Sequence, residues 1–183
     1  MDKTNETDIA LSIQNPDTRR EAFREIVSTY SQPLYWQIRR LVLSHEDAND
    51  VLQNTFVKAW ENIEQFRGDS QLSTWLYRIA INESINFLKR KKAELYLSID
   101  DEECNIIHQL EDDPYFDGDA LQLQLQQAIG DLPEKQKIIF QLRYFQEMKY
   151  DEISQIMNTS IGALKASYHH AVKKIKTYFD DMD

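Results

Sequence analysis

From residue 22 to residue 42, apolar side chains return every three or four positions: Ala22, Phe23, Ile26, Val27 and Tyr30, then Leu34, Tyr35, Ile38, Leu41 and Val42. That spacing puts them on one side of an α-helix, and Ser31 with Pro33 predicts a restart between two helical pieces. A second run follows Ser44, a residue suited to capping a helix, with Asp47 three positions on. Ala48, Val51, Leu52, Thr55, Phe56, Ala59, Trp60 and Ile63 then advance by alternating threes and ones, which predicts a single apolar stripe against a core. After Gly68 the pattern resumes with Trp75, Leu76, Ile79, Ala80 and Phe87, and closes on Lys89, Arg90, Lys91 and Lys92. Cations there suit the negative end of a helix dipole.

Periodicity stops after Lys92, and residues 93–118 supply acids, one Pro and one Gly in its place. They predict a flexible acidic linker, about 85 Å long if fully extended and roughly 25 to 30 Å as a coil. Helical patterning returns at Leu121 and continues to the C-terminal end, with Pro133 at a first-turn position. The expected architecture is all-α, with two small helical domains at residues 1–92 and 119–183 joined by that linker. Four Gly and four Pro in 183 residues are too few for a turn-rich β protein, and no apolar run approaches the roughly 18 residues of a membrane span. The N-terminal residues lack the basic-then-apolar order of a secretion signal, and Cys104 is the lone cysteine. A cytoplasmic protein with no disulfide, no membrane insertion and no cysteine-rich zinc site is expected.

Charge changes the picture twice. The chain carries 31 acids and 21 bases, a formal charge of −10 that argues against a nucleic-acid partner. Yet residues 93–132 hold eleven acids and no base, whereas 33–92 hold nine bases against seven acids and 133–183 eight against seven. The acidity belongs to one segment, so the objection weakens.

Residues 150–176 fit a helix-turn-helix. Ile153, Ile156 and Met157 supply one apolar face, Asn158 suits a left-handed turn residue, and Ser160 can cap the next helix. Ile161, Leu164, Tyr168, Ala171 and Ile175 face the core, leaving Gly162, Lys165, His169, Lys173 and Lys176 opposite. Residues 160–179 hold four Lys, two His and no acid, which suits a duplex major groove. His169 and His170 are adjacent, about 100° apart on a helix, with no third ligand near, so no metal site is expected.

In the N-terminal half, Asp50, Gln53, Asn54 and Val57 share the face opposite the apolar stripe, suited to a protein partner or to solvent. Arg78, Asn82, Asn86 and Lys89 share another face, mixing phosphate-neutralising cations with amides that can read base edges. Phe66, Trp75 and Tyr77 lie beside it, where stacking on unpaired bases competes with a core role for Trp75.

The stretches DANDVLQNTFVKAW, FRGDSQLSTWLYRIAIN and LPEKQKIIFQLRYF, in this order, resemble regions 2 and 4 of the extracytoplasmic-function (ECF) sigma factors of the sigma-70 family. The resemblance implies a bacterial initiation factor that binds core RNA polymerase, recognises −10 and −35 promoter elements and promotes DNA melting. It implies that Asp50, Gln53, Asn54 and Val57 meet the beta-prime clamp helices, and that Arg67, Ser70, Ser73 and Thr74 form the loop that captures a flipped −10 base. It further implies that Arg78, Asn82, Asn86, Lys89 and Arg90 touch −10 DNA, and Lys165, Ala166, His169, His170 and Lys173 the −35 element. The beta flap and an anti-sigma factor are implied partners, no cofactor is implied, and the acidic linker imitates nucleic acid in a basic channel of polymerase.

Five positions depart from the family pattern. Asn54 stands where an acid is usual, Ala166 and Ser167 replace a Ser-Arg pair, and His170 replaces an Arg. Lys149 occupies a common Ser cap position. The alternatives are a helix-turn-helix regulator that never engages polymerase and an all-α enzyme. The second is disfavoured because paired carboxylates such as Asp112 and Asp113 concentrate in the linker and no Gly-rich phosphate loop is present.

Overall fold

The computed structural model describes residues 12–66, 68, 70–97 and 120–181. Among them every regular element is helical: α1 (Arg19–Val42), α2 (His45–Glu61), a 3-10 turn (Ile63–Gln65), α3 (Leu72–Leu97), α4 (Ala120–Gly130), α5 (Glu134–Tyr144), α6 (Tyr150–Met157) and α7 (Ile161–Asp180). They form two compact units, the first closing with α3 and the second containing α4 to α7. The expected linker lies outside the described residues from position 98 onward, as does Arg67.

In the first unit α1 packs along α3. Ile26, Leu34 and Ile38 from α1 meet Leu72 and Leu76 from α3 in a fully buried core. Burying each such side chain contributes about 1.5 to 3 kcal/mol. That total explains why the expected restart at Pro33 does not occur and α1 runs unbroken through it. A proline in a helix interior costs about 3 kcal/mol, less than the buried stripe on either side of it supplies.

The α2 stripe is narrower than its spacing suggests. Ala48, Val51, Thr55 and Ala59 are buried, Leu52 and Phe56 are half-buried, and Trp60 is 41% exposed. The Trp60 indole is too large for the seam that accepts Ala59. It lies at the edge instead, with its ring tilted against Phe23 at 5.0 Å. The start of α2 is tied to α3 by an ion pair between Asp47 and Lys91 at 2.6 Å.

Helix α3 continues to Leu97 and takes in the first five residues of the expected linker. Ala93, Glu94 and Leu95 are good helix formers with no Gly or Pro among them, so propensity carries the helix onward. Lys89 to Lys92 therefore sit before the last turn and not at the dipole's end.

In the second unit α4, α5 and α6 all pack on α7. Leu164, Ala171 and Ile175 are buried, but Ile161, at the exposed first turn of α7, is 36% exposed and leaves the expected core. Ala128, Ile129, Leu132 and Phe140 complete the cluster around Ala171 and Ile175. Pro133 precedes α5 with extended ψ, one residue before the helical position assigned to it.

The turn between α6 and α7 follows its sequence closely. Asn158 adopts φ 48° and ψ 48°, its N–H donating to the Ser154 carbonyl. Ser154 Oγ in turn donates to the Thr159 carbonyl at 2.8 Å, and Ser160 Oγ accepts from the Ala163 N–H at 3.4 Å. A left-handed backbone costs a residue with a Cβ roughly 1 to 2 kcal/mol, least for Asn and nothing for Gly. Asn158→Val should therefore destabilise the second unit by about 1 to 2 kcal/mol, and Asn158→Gly by less than about 1 kcal/mol. All three tryptophans, Trp36, Trp60 and Trp75, belong to the first unit. The Asn158→Val loss should thus appear in the helical circular-dichroism melt and leave the tryptophan-fluorescence melt in place.

Candidate nucleic-acid and protein interfaces

Helix α2 exposes Asp50, Gln53, Asn54 and Val57 together, and Val57 is 55% exposed. None of the three polar side chains has a hydrogen-bond or ion-pair partner among the described residues. A row of unpartnered polar groups around an exposed valine is chemically ready for another protein.

Helix α3 is divided differently. Leu72, Leu76, Tyr77, Ala80 and Ile81 face inward, and the buried Ser84 Oγ donates to the Ala80 carbonyl at 2.8 Å. Outward, Arg78, Asn82, Asn86, Lys89 and Arg90 are all exposed, a ladder of cations and amides along one helix. Arg90 lies over the Phe87 ring at 6.0 Å. At the N-terminal end, Phe66 is buried and its ring meets Trp75 at 5.3 Å, so aromatic packing anchors both flanks of the loop that contains Gly68. Trp75 is half-buried in that contact, consistent with a packing role. Gly68 has φ +76°, a conformation L side chains rarely adopt. Ser70 and Ser73 are half-exposed beside it, but Thr74 is 5% exposed. Thr74 turns inward between Leu72 and Leu76, so it offers DNA no surface, contrary to the expectation drawn for it.

Buried and half-buried ionisable groups that periodicity did not reveal lie in the first unit. Burial lowers the pKa of Arg39, with Tyr35 and then Asp47 acting against it, and burial likewise lowers that of Arg40. Burial raises the Tyr77 phenol to about 12, an effect that Arg40 partly offsets. Arg39 and Arg40 form an RR pair that reads as surface in the sequence, yet Arg39 is buried and Arg40 half-buried.

Helix α7 exposes Lys165, Ala166, His169, His170 and Lys173. The two imidazoles sit 6.1 Å apart, edge to face. Lys149 cannot accept a capping bond, yet its backbone N–H is held by Glu152 Oε2 at 2.8 Å, so α6 keeps half of a capping box. Sequence reasoning also missed an aromatic cluster beside Lys165: Arg143 lies over the Tyr150 ring at 5.3 Å and Lys165 at 5.7 Å. Its members come from three helices, a placement that no local spacing encodes.

Two compact helical units, one exposing a helix face of cations and amides and the other a helix face of Lys and His, define a two-domain DNA-binding protein of the helix-turn-helix class. The Sigma-70 region 2 family matches residues 26–94, and the Sigma-70 region 4 family matches residues 122–175. The ECF RNA polymerase sigma factor SigW of Bacillus subtilis is 30% identical over 171 residues, covering 89% of this chain and 91% of that protein. The ECF RNA polymerase sigma-E factor of Haemophilus influenzae is 33% identical over 178 residues, covering 93% of this chain and 94% of that protein. The fold matches the sigma factor RpoE from Bartonella quintana, solved with the anti-sigma factor NepR, at TM-score 0.71 and 21% identity over 86% of this chain and 96% of that one. It also matches CnrH, solved with the cytosolic domain of CnrY, at TM-score 0.70 and 20% identity over 97% and 99% of the two chains. The chain belongs to the ECF sigma factors of the sigma-70 family and is a transcription initiation factor. Membership sets aside a regulator that never engages polymerase. No helix among the described residues is long and apolar enough to cross a membrane.

The buried Tyr77 phenol has a consequence for stability. Tyr77 is protonated in the folded chain up to about pH 12 and in the unfolded chain only to about pH 10. The stability it contributes is fully present below pH 10 and is lost as pH rises through 12. Tyr77→Phe should therefore lessen the alkaline loss of stability in that window by about 2 kcal/mol, read by tryptophan-monitored urea unfolding at successive pH values.

Proposed function

We propose that the chain grips core RNA polymerase with α2 of a region 2 domain, reads the −10 element with α3 and its preceding loop, and reads the −35 element with α7 of a region 4 domain. The observation that carries this reading is the presence of two exposed cationic helix faces on separately packed units, beside a third exposed face whose polar groups have no partner. Asp50, Gln53, Asn54 and Val57 meet the beta-prime clamp helices. The loop from Arg67 through Ser70 and Ser73 receives a base flipped from the duplex, and its anchoring by Phe66 on Trp75 supports that role. Holding an unstacked base needs no bond chemistry, only a pocket that offsets an unstacking cost of a few kcal/mol. No catalytic role is assigned.

Arg78, Asn82, Asn86, Lys89 and Arg90 then follow the −10 strand, and Lys165, Ala166, His169, His170 and Lys173 enter the −35 major groove. His170 supplies less fixed charge than the Arg usual at its position, so promoter preference differs from that of relatives carrying Arg. The second unit docks on the beta flap, the domains divide at residues 1–92 and 119–183 with α3 protruding to Leu97, and the acidic residues 93–118 connect them. The chain works in the cytoplasm with its polymerase. An anti-sigma partner is a further expectation, since one structural neighbour was solved with an anti-sigma factor.

Run-off transcription with purified core polymerase on a genomic fragment library tests the reading, and specific transcripts are the expected result. Lys165→Glu should abolish −35-dependent transcription, with DNA affinity down by about 1 to 3 kcal/mol and polymerase pull-down intact. Equal loss of polymerase binding would instead indicate misfolding. Replacing Asp50 and Gln53 by Ala should weaken polymerase association about tenfold at constant helical content. Unchanged pull-down of polymerase by that variant would remove the α2 assignment.

A further inference from the structure

We propose that Tyr150 is a positioning residue for DNA recognition, its ring holding the Lys165 ammonium in the place from which it meets the duplex. The proposal deepens the −35 reading of α7 and rests on it. Lys165 is exposed, and its ammonium has no hydrogen-bond or ion-pair partner among the described residues. A free lysine of that kind samples many rotamers and gives up that freedom when a ligand fixes it. Here the Lys165 Nζ lies 5.7 Å from the centroid of the Tyr150 ring, within the range in which a ring's quadrupole attracts a cation.

A ring can hold a cation in place only if it is itself held, and Tyr150 is. It is the first residue of α6 and half-buried, with its ring edge-on to Tyr168 of α7 at 6.5 Å. Tyr168 in turn stacks on Phe140 of α5 at 5.9 Å. The Arg143 guanidinium lies 5.3 Å from the same Tyr150 ring. Arg143 is fixed from behind, because its Nη1 donates to the Met148 carbonyl at 2.9 Å and the Glu147 carbonyl at 3.3 Å. The chain of contacts runs from the carbonyls of the α5–α6 turn through Arg143 to the Tyr150 ring and on to Lys165. Part of the ordering a duplex would impose on Lys165 is thus already present in the free protein. Lys173 lies two turns further along the same exposed face and touches no ring among the described residues, so it serves as an internal control.

The test uses the full chain bound to core polymerase and, as DNA probe, the most strongly transcribed fragment from the run-off library. Affinity is measured across a salt series. Lys165→Ala should weaken binding and reduce the salt slope by about 1. Tyr150→Leu should weaken binding about two- to fivefold, whereas Tyr150→Phe, which keeps the ring, should stay within about twofold of the parent. The double variant Tyr150→Leu with Lys165→Ala should bind no worse than Lys165→Ala alone, and Tyr150→Leu with Lys173→Ala should show additive losses. Pentafluorophenylalanine at position 150 keeps the ring's shape and reverses its quadrupole, and should reproduce the Leu loss. That comparison with Phe decides the matter if Tyr150→Leu lowers the circular-dichroism melt. Additive losses for Tyr150 and Lys165, or equal affinity with Phe and pentafluorophenylalanine, overturn the positioning role alone. Unchanged affinity in Lys165→Ala overturns the −35 assignment of Lys165, and the proposal with it.

Discussion

Both units depend on one constraint: a single helix must bury enough apolar surface to fold and still keep an uninterrupted polar face for a ligand. Helix α3 meets it with Leu72, Leu76, Tyr77, Ala80 and Ile81 inside and Arg78, Asn82, Asn86, Lys89 and Arg90 outside. Helix α7 meets it with only Leu164, Ala171 and Ile175 fully inside. So narrow a stripe cannot stabilise twenty residues alone, which is why α4, α5 and α6 all pack against α7. Residues on the outward faces are free of packing duty, so they can change while the fold persists.

What was legible in the sequence follows from this division. Period alone places Ala48, Val51, Thr55 and Ala59 of α2, Leu76 and Ala80 of α3, Ile153 and Ile156 of α6, and Leu164, Ala171 and Ile175 of α7, because burial on one side of a helix must recur every three to four positions. The α6–α7 turn was equally legible, since Asn158 and Ser160 act through their own backbone neighbourhood. Errors arose where size or a distant element decided the outcome. Trp60 has the right spacing but not the right volume, and Ile161 falls beyond the edge of its core. Pro33 obeys a local rule that long-range packing overrides. Thr74 belongs to the loop by position and to the core by its inward turn.

The groups that periodicity missed are buried or bridging polar residues. Arg39, Arg40 and Tyr77 lose exposure only through packing between helices, and Arg143, Tyr150 and Lys165 meet only when three helices converge. Apolar residues announce their environment because water rejects them anywhere, whereas a polar residue's environment is specified by its partners. The candidate interfaces were therefore legible as faces, and the interactions that shape those faces were not.

Charge sets how such faces can be used. Non-specific DNA affinity rises with the number of phosphates neutralised, and each domain here carries at least as many acids as bases. On the proposed assignment, neither domain alone draws DNA strongly: α7 offers few fixed cations, and α3 shares its unit with Asp47, Glu64 and Glu83. Weak sites become useful when they are tethered, because binding of one raises the effective concentration of the other by orders of magnitude, provided that geometry permits both. Core polymerase would supply that geometry by holding the two domains at the spacing of the promoter elements. A chain that is nearly neutral outside its acidic segment would then remain off bulk DNA when free and become selective when assembled. Within that scheme a lysine already held by an aromatic ring is worth more than an additional mobile one, because it improves fit at the target without raising attraction to every phosphate.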